Sequence, residues 1–114
     1  MIALARARRM TLLLPGAVEL DHHGFPSFRV AGRIFATQRD REHFNVMLDE
    51  PRIRAAIGID PDGCQELLWG KRLRGVRVAL ARVDPDAFAD LIEDVWRRKC
   101  PVQTARRGSK AGQT

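Results

Sequence analysis

The chain has no tyrosine, only two cysteines, and an aromatic content of 6%. Cys64 and Cys100 are far apart in sequence, and neither lies in a Cys-x-x-Cys pair or beside histidines at the spacing of zinc sites. Because such isolated cysteines are typical of intracellular proteins, we expect two reduced thiols rather than a disulfide. We also expect no metal site and no cofactor.

The chain also lacks any hydrophobic run long enough to cross a membrane. Leu12, Leu13 and Leu14 follow several arginines, as in a signal peptide, but this apolar run is too short for a signal sequence. We therefore expect a cytoplasmic protein with no membrane partner.

Residue types that perform catalysis are few and scattered. An enzyme of this size would need a nucleophile beside its base, or two carboxylates in one cleft, and no motif of either kind is present. His22 and His23 are adjacent, so in a strand they would point to opposite faces and could not hold one metal ion together. We predict that the protein is not an enzyme.

Positive charge, by contrast, is abundant. The 114 residues include 20 lysines and arginines against 14 acidic residues, which gives a net charge of +6. A basic surface attracts polyanions such as nucleic acids. The length and the 45% hydrophobic content are sufficient for one domain with a single core.

The segment 24–36 predicts a β-hairpin with its turn at Ala31 and Gly32. A turn of two residues would place Phe28, Val30 and Phe35 on one face of the hairpin. A turn of three residues would replace Phe35 by Ile34 on that face, and the sequence leaves both possibilities open.

A second hairpin is predicted between the strands 64–69 and 76–81. Its connection, residues 70–75, is rich in cations, as is the first hairpin. Together the two hairpins carry the candidate phosphate-binding residues, which are Arg29, Arg33, Lys71, Arg72, Arg74 and Arg77.

Three helices and further strands complete the pattern. Residues 1–14 have helical spacing, and Asp49 and Asp84 are typical N-cap residues of a short helix and of the last helix. Residues 38–43 are interpreted as a polar connection, and residues 44–48 as another strand of a meander. We predict a two-layer α+β domain over residues 1–101, in which the N- and C-terminal helices pack on one face of an antiparallel sheet, followed by a disordered basic tail at 102–114.

These segments resemble the MmcQ/YjbR family. The resemblance is carried by Leu14-Pro15-Gly16, by Gly24 to Ala36, by Trp69-Gly70-Lys71 and by the entry into the last helix at Val83-Asp84. It implies a fold similar to the CyaY/frataxin-like domain and DNA binding through two projecting hairpins, a double wing. Family members usually carry a tryptophan shortly after the glycine of the last hairpin, whereas this chain has Leu73-Arg74-Gly75-Val76 and one additional residue there.

Two functions therefore follow as expectations. The first is non-enzymatic DNA binding, in which the hairpin cations contact phosphates with low sequence specificity. The alternative is a module that holds a protein or small ligand on the open face of the sheet, through an exposed apolar patch of Phe25, Phe35, Trp69 and Leu73. A monomer is favoured in either case.

Overall fold

The structure, a computed structural model, describes residues 1–100, and the predicted tail at 102–114 lies outside them. The described chain forms three helices and one antiparallel sheet of six strands in the order β1-β2-β3-β4-β6-β5, which confirms the predicted α+β class. The elements are α1 (Leu4–Leu12), β1 (Val18–His22), β2 (Phe25–Val30), β3 (Arg33–Asp40), β4 (His43–Met47), α2 (Glu50–Ile59), β5 (Cys64–Trp69), β6 (Arg72–Ala79) and α3 (Pro85–Lys99).

Helices α2 and α3 begin where the sequence predicts, whereas α1 is shorter than the predicted 1–14 and spans Leu4–Leu12. The Asp49 carboxylate accepts a hydrogen bond from the Arg52 N–H at 3.3 Å, and the Asp84 carboxylate accepts one from the Ala87 N–H at 2.9 Å. Each cap is followed within two residues by proline, which suits the first turn of a helix because its missing N–H has no partner there. These caps fix the ends of α2 and α3 on the sheet.

The core lies between the helices and one face of the sheet. Alternate residues of the central strands point into it and are fully buried, and the Phe44 ring packs against Phe28 at 5.2 Å and against Phe88 of α3 at 5.6 Å between ring centroids. The opposite face of the sheet carries the intervening residues, among them Thr37 and Asn45, which pair across β3 and β4. This second face is the open face.

The first hairpin has a two-residue turn. Val30 pairs with Arg33, and Ala31 and Gly32 both have positive φ, 52° and 78°, as in a type I′ turn. Phe28, Val30 and Phe35 are all buried, as the two-residue alternative predicts.

The predicted connection between β3 and β4 is wrong. Residues 38–43 are not a connection, because β3 continues to Asp40 and β4 begins at His43, with a tight turn held by the Glu42 N–H donating to Asp40 Oδ1 at 2.8 Å. Val18 and Leu20 of β1 are about half exposed, because they point to the open face of the sheet. Among residues 1–100, no helix has both the length and the apolar character needed to cross a membrane.

Candidate nucleic-acid interface

Both cationic hairpins lie at the same end of the sheet. We call the β2–β3 hairpin the first wing and the β5–β6 hairpin the second wing. Strand β4 runs between them, paired with β3 on one side and with β6 on the other, so that the antiparallel order brings both turns beside the carboxyl end of β4. The sequence predicts each hairpin but not this alignment, which depends on the non-consecutive pairing of β4 with β6.

The wings project beyond the strand that joins them. Toward the wing tips, the last residue pair between the first wing and β4 is Ala36–Val46. The last pair between the second wing and β4 is Gly75–Met47. Each wing therefore extends about 10 Å past these pairs, given a rise of about 3.3 Å per residue. Strands β3 and β6 are two strand spacings apart, which leaves a gap of about 10 Å between the wings.

The predicted connection at 70–75 is wrong: β6 spans Arg72–Ala79, so the turn of the second wing also contains two residues. Trp69 pairs with Arg72, and Gly70 has a φ of 61°, so that glycine stands at the first central position, as in a type II′ turn. This turn places Lys71 at the tip of the wing and Arg72 beside it.

Three of the six predicted cations stand at the wing tips and are exposed: Arg33 on the first wing, and Lys71 and Arg72 on the second. None of the ion pairs found among residues 1–100 involves any of them. Each therefore presents an uncompensated charge to solvent at the same end of the molecule.

The structure places Arg29 and Arg77 away from the tips. Arg29 is partly buried, and its Nε donates a hydrogen bond to Ser27 Oγ at 3.1 Å. Arg77 lies nearer the opposite end of β6, where its Nη2 is 3.4 Å from Asp40 Oδ2 and 3.4 Å from His43 Nδ1. These two residues are not brought together with the tip cations.

The sixth predicted cation, Arg74, lies between Leu73 and Gly75 in β6. Leu67 pairs with Gly75 and Leu68 with Leu73, so Arg74 has no pairing partner and forms a β-bulge. Its guanidinium lies over the Trp69 ring, 4.8 Å from the ring centroid. The bulge thus places the Arg74 guanidinium where it stacks on the Trp69 ring as a cation–π pair.

A groove of about 660 Å³ runs between the wings and onto the open face, and we call it the wing groove. Arg98 and Lys99, at the carboxyl end of α3, contribute to its lining together with Arg39. Sequence analysis did not select these cations, because a basic last turn is expected of any helix with a favourable dipole. These cations come near the wings because α3 packs across β3 and β4, and no local sequence pattern predicts that packing.

The predicted apolar patch is only partly present. Phe35 is fully buried under the helices, so its assignment to an exposed patch is wrong; it lies on the same face of the hairpin as Phe28 and Val30. Trp69 and Leu73 line the wing groove. Phe25 is 37% exposed and lies under the Arg39 guanidinium at 5.4 Å.

Within the described chain, no group of three or more histidine, cysteine or acidic side chains is placed to hold a metal ion. Both cysteines are free thiols. Burial, with a smaller contribution from Asp60, raises the pKa of the Cys64 thiol to about 11, so this thiol is protonated at neutral pH.

Comparison with known proteins gives one family and one solved structure. The YjbR family model matches residues 12–98. The crystal structure of Deinococcus radiodurans protein DR2400, which has a DUF419 domain, is similar with a TM-score of 0.62 and 19% sequence identity, covering 100% of this chain and 83% of that chain. At this identity the likeness shows a shared fold. No curated protein matches the chain.

Proposed function

The chain belongs to the YjbR family, and we propose that it is a non-enzymatic protein that binds DNA through phosphate contacts at its two wing tips. The observation that carries this proposal is the set of three exposed tip cations, Arg33, Lys71 and Arg72, for which residues 1–100 supply no carboxylate partner. Cations of this kind release counterions when they meet phosphates, which is the main source of sequence-independent affinity.

The spacing of the wings supports contact with a duplex. The midlines of the two wings are three strand spacings apart, or about 14 Å. The major groove of B-DNA is about 12 Å wide, so the two tips can reach phosphates on opposite sides of one groove. A flat sheet edge without projecting hairpins would reach only one side.

The contacts proposed here carry little sequence information. The longest helix, α3, buries Phe88, Ile92, Val95 and Trp96 against the core. Its exposed side carries Asp86, Asp90 and Glu93, and these negative charges oppose entry of α3 into a DNA groove as a recognition helix. Phosphate contacts position a protein on DNA, whereas base contacts select the sequence. We accordingly expect similar affinities for duplexes of different sequence.

The test is fluorescence anisotropy with a labelled duplex over a range of salt concentrations. For the wild type, the logarithm of affinity should fall with the logarithm of salt concentration with a slope of about −0.9 for each phosphate neutralised. The double variant Lys71→Glu/Arg72→Glu should bind more weakly and have a flatter slope. Both side chains are exposed, so we expect the fold to be retained.

A matched control removes the same charge from another surface. Arg6 and Arg9 of α1 are exposed and are absent from the ion pairs of the described residues. The variant Arg6→Glu/Arg9→Glu should therefore keep most of the duplex affinity. Equal losses in the two double variants would mean that net charge alone attracts DNA, and the proposed interface would be wrong. Absence of duplex binding by the wild type at low salt would also contradict it.

A further inference from the structure

The wing groove has the size and shape of a small-molecule site. Its volume of about 660 Å³ falls within the range of ligand pockets, about 300 to 1,000 Å³. Its apolar lining comes from both wings and from β4, through Ile34, Met47 and Leu73. A groove that served only to separate two phosphate-binding tips would not need this apolar floor.

A buried polar side chain in the lining has an unused hydrogen-bonding atom. Asn45 is only 8% exposed, lines the groove, and pairs across the sheet with Thr37, which also lines it. Asn45 Oδ1 is buried and accepts no hydrogen bond from any residue in the described part of the chain. Buried polar atoms are normally satisfied, whereas this oxygen lacks a donor because residues 1–100 supply none.

An aromatic side chain stands at the wall of the groove. Trp69 is 52% exposed although it lines a concave surface, and the planar guanidinium of Arg74 lies over its ring at 4.8 Å. Indole rings and stacked guanidinium groups are the surfaces on which proteins place nucleobases. The β-bulge at Arg74 fixes this pair at the entrance between the wings.

The charges around the groove favour an anion. Arg39, Arg74 and Lys99 line it and take part in none of the ion pairs among residues 1–100, while Arg98 has a distant partner, with Asp94 at 3.5 Å. The acidic residue of the lining is Asp49, whose carboxylate is held by Arg52 at 2.8 Å. A purely apolar ligand would leave these cations without a partner.

From these four observations we propose that the wing groove binds one nucleotide unit, with its base beside Trp69 and Arg74 and its phosphate toward Arg98 and Lys99. After rotation of the Asn45 side chain toward the groove, a donor on the base edge or the ribose would satisfy its Oδ1, which is inaccessible in the unbound protein. The same chemistry is offered by a free nucleoside monophosphate and by an unpaired nucleotide within a single strand. This proposal adds recognition of an unstacked base to the duplex phosphate contacts of the proposed function. It depends on the two wings only because the groove lies between them.

The two tryptophans allow a direct measurement. Trp96 is 2% exposed in the core, whereas Trp69 is half exposed, so a ligand in the groove should quench mainly Trp69 fluorescence. We would titrate the wild type with nucleoside monophosphates, with inorganic phosphate, and with a single-stranded decanucleotide. Quenching by nucleotides or by the single strand, but not by inorganic phosphate, is the expected result. Quenching by inorganic phosphate to the same extent would reduce the site to an anion site and overturn the proposal.

Variants separate this site from the wing tips. Trp69→Leu should weaken binding of the single strand about tenfold, near the lower end of the range for loss of one base stack. Asn45→Ala should also weaken it, and both variants should leave duplex affinity within about twofold. The matched control is Leu68→Ala, because Leu68 is also 52% exposed, is adjacent to Trp69, and does not line the groove. It should change neither affinity.

The probes also distinguish the two sources of the nucleotide. Because Trp69→Leu lacks the reporting tryptophan, its binding is measured by isothermal titration calorimetry. Loss of both monophosphate and single-strand binding in this variant would support a site for a free nucleotide, and loss of single-strand binding alone would support an unpaired nucleotide of a chain. Unchanged single-strand and monophosphate affinity in Trp69→Leu would overturn the inference. If the wild type fails to bind duplex but binds a nucleotide at Trp69, the proposed DNA function is wrong and the groove assignment stands.

Discussion

The two wings of this protein differ in how they are supported and in what they expose. The first wing lies within the sheet, flanked by β1 and β4, and buries Phe28, Val30 and Phe35 in the core. The second wing includes the edge strand β5 and exposes Leu68 and Trp69 by half. The first wing is therefore primarily a structural element that also carries Arg33, and the second presents most of the candidate binding chemistry.

The second wing needs a firm attachment if it is to hold its cations in place. That attachment is the pairing of β6 with β4, which brings Gly75 against Met47. A Cβ at Gly75 would lie 1.9 Å from the carbonyl oxygen of Val46. Only glycine permits this approach of the two strands.

The largest expected effect is therefore from Gly75→Ala, which should lower the free energy of unfolding by about 3 kcal/mol, because the backbone of β4 cannot yield without loss of pairing. Urea unfolding followed by circular dichroism would measure it. Gly58→Ala is the control, since a Cβ there meets nothing within 4 Å and α2 should be stabilised slightly. An unchanged stability in Gly75→Ala would show that the second wing is not held by this contact.

The next effect compares the wings as binding elements. Neutralising the second wing by Lys71→Gln/Arg72→Gln should reduce the magnitude of the salt slope for duplex binding by about 1.8, and Arg33→Gln on the first wing should reduce it by about 0.9. Anisotropy titrations at several salt concentrations give both numbers. A larger change from Arg33→Gln would reverse the assignment of the second wing as the main phosphate contact.

A smaller effect concerns the turn of the first wing. Ala31 has a φ of 52°, a left-handed conformation that costs a residue with a Cβ about 1 kcal/mol. Ala31→Gly should raise the free energy of unfolding by about 0.5 kcal/mol, after the greater freedom of glycine in the unfolded chain is subtracted. Thermal unfolding would detect this gain. A destabilised variant would mean that the turn is not strained at Ala31.

The smallest effect is at the opposite end of the sheet, where Asp40 contacts His43 and Arg77. Burial opposes ionisation of Asp40, but hydrogen bonds from the His43 ring and from the backbone N–H groups of Glu42 and His43 outweigh it, so the pKa of this carboxyl is lowered. A lowered folded-state pKa stabilises the fold above the unfolded pKa, and this stabilisation is lost as pH falls through the folded pKa.

Replacement of this carboxyl tests that linkage. Since Asp40 is 44% exposed, Asp40→Asn should cost only about 0.3 kcal/mol at pH 7, and the difference from the wild type should disappear in acid. Urea unfolding at pH 7 and at pH 2 would show it. A difference that persisted or grew in acid would contradict the ionic origin of the effect.

The sequence predicted local features well because their causes are local. The caps at Asp49 and Asp84 and the turn at Ala31-Gly32 each depend on residues a few positions apart.

Features that depend on strand order could not be predicted in the same way. Arg77 was grouped with the tip cations because it follows Arg74 closely in sequence, yet Asp40, 37 positions away, is its contact in the folded sheet. The wing groove likewise requires the carboxyl end of α3 to meet both wings. Alternation alone also cannot place Ala36, because the bulge in β3 brings it to the same face as Phe35.

The most direct test of the account is a chemical-shift map of the labelled protein titrated with a short DNA duplex at low salt. The account predicts that the largest shifts occur at the amides of Gly32 and Arg33 and of Gly70, Lys71 and Arg72, at one end of the sheet. Shifts concentrated instead on the arginine-bearing surface of α1, with both wing tips unaffected, would contradict it.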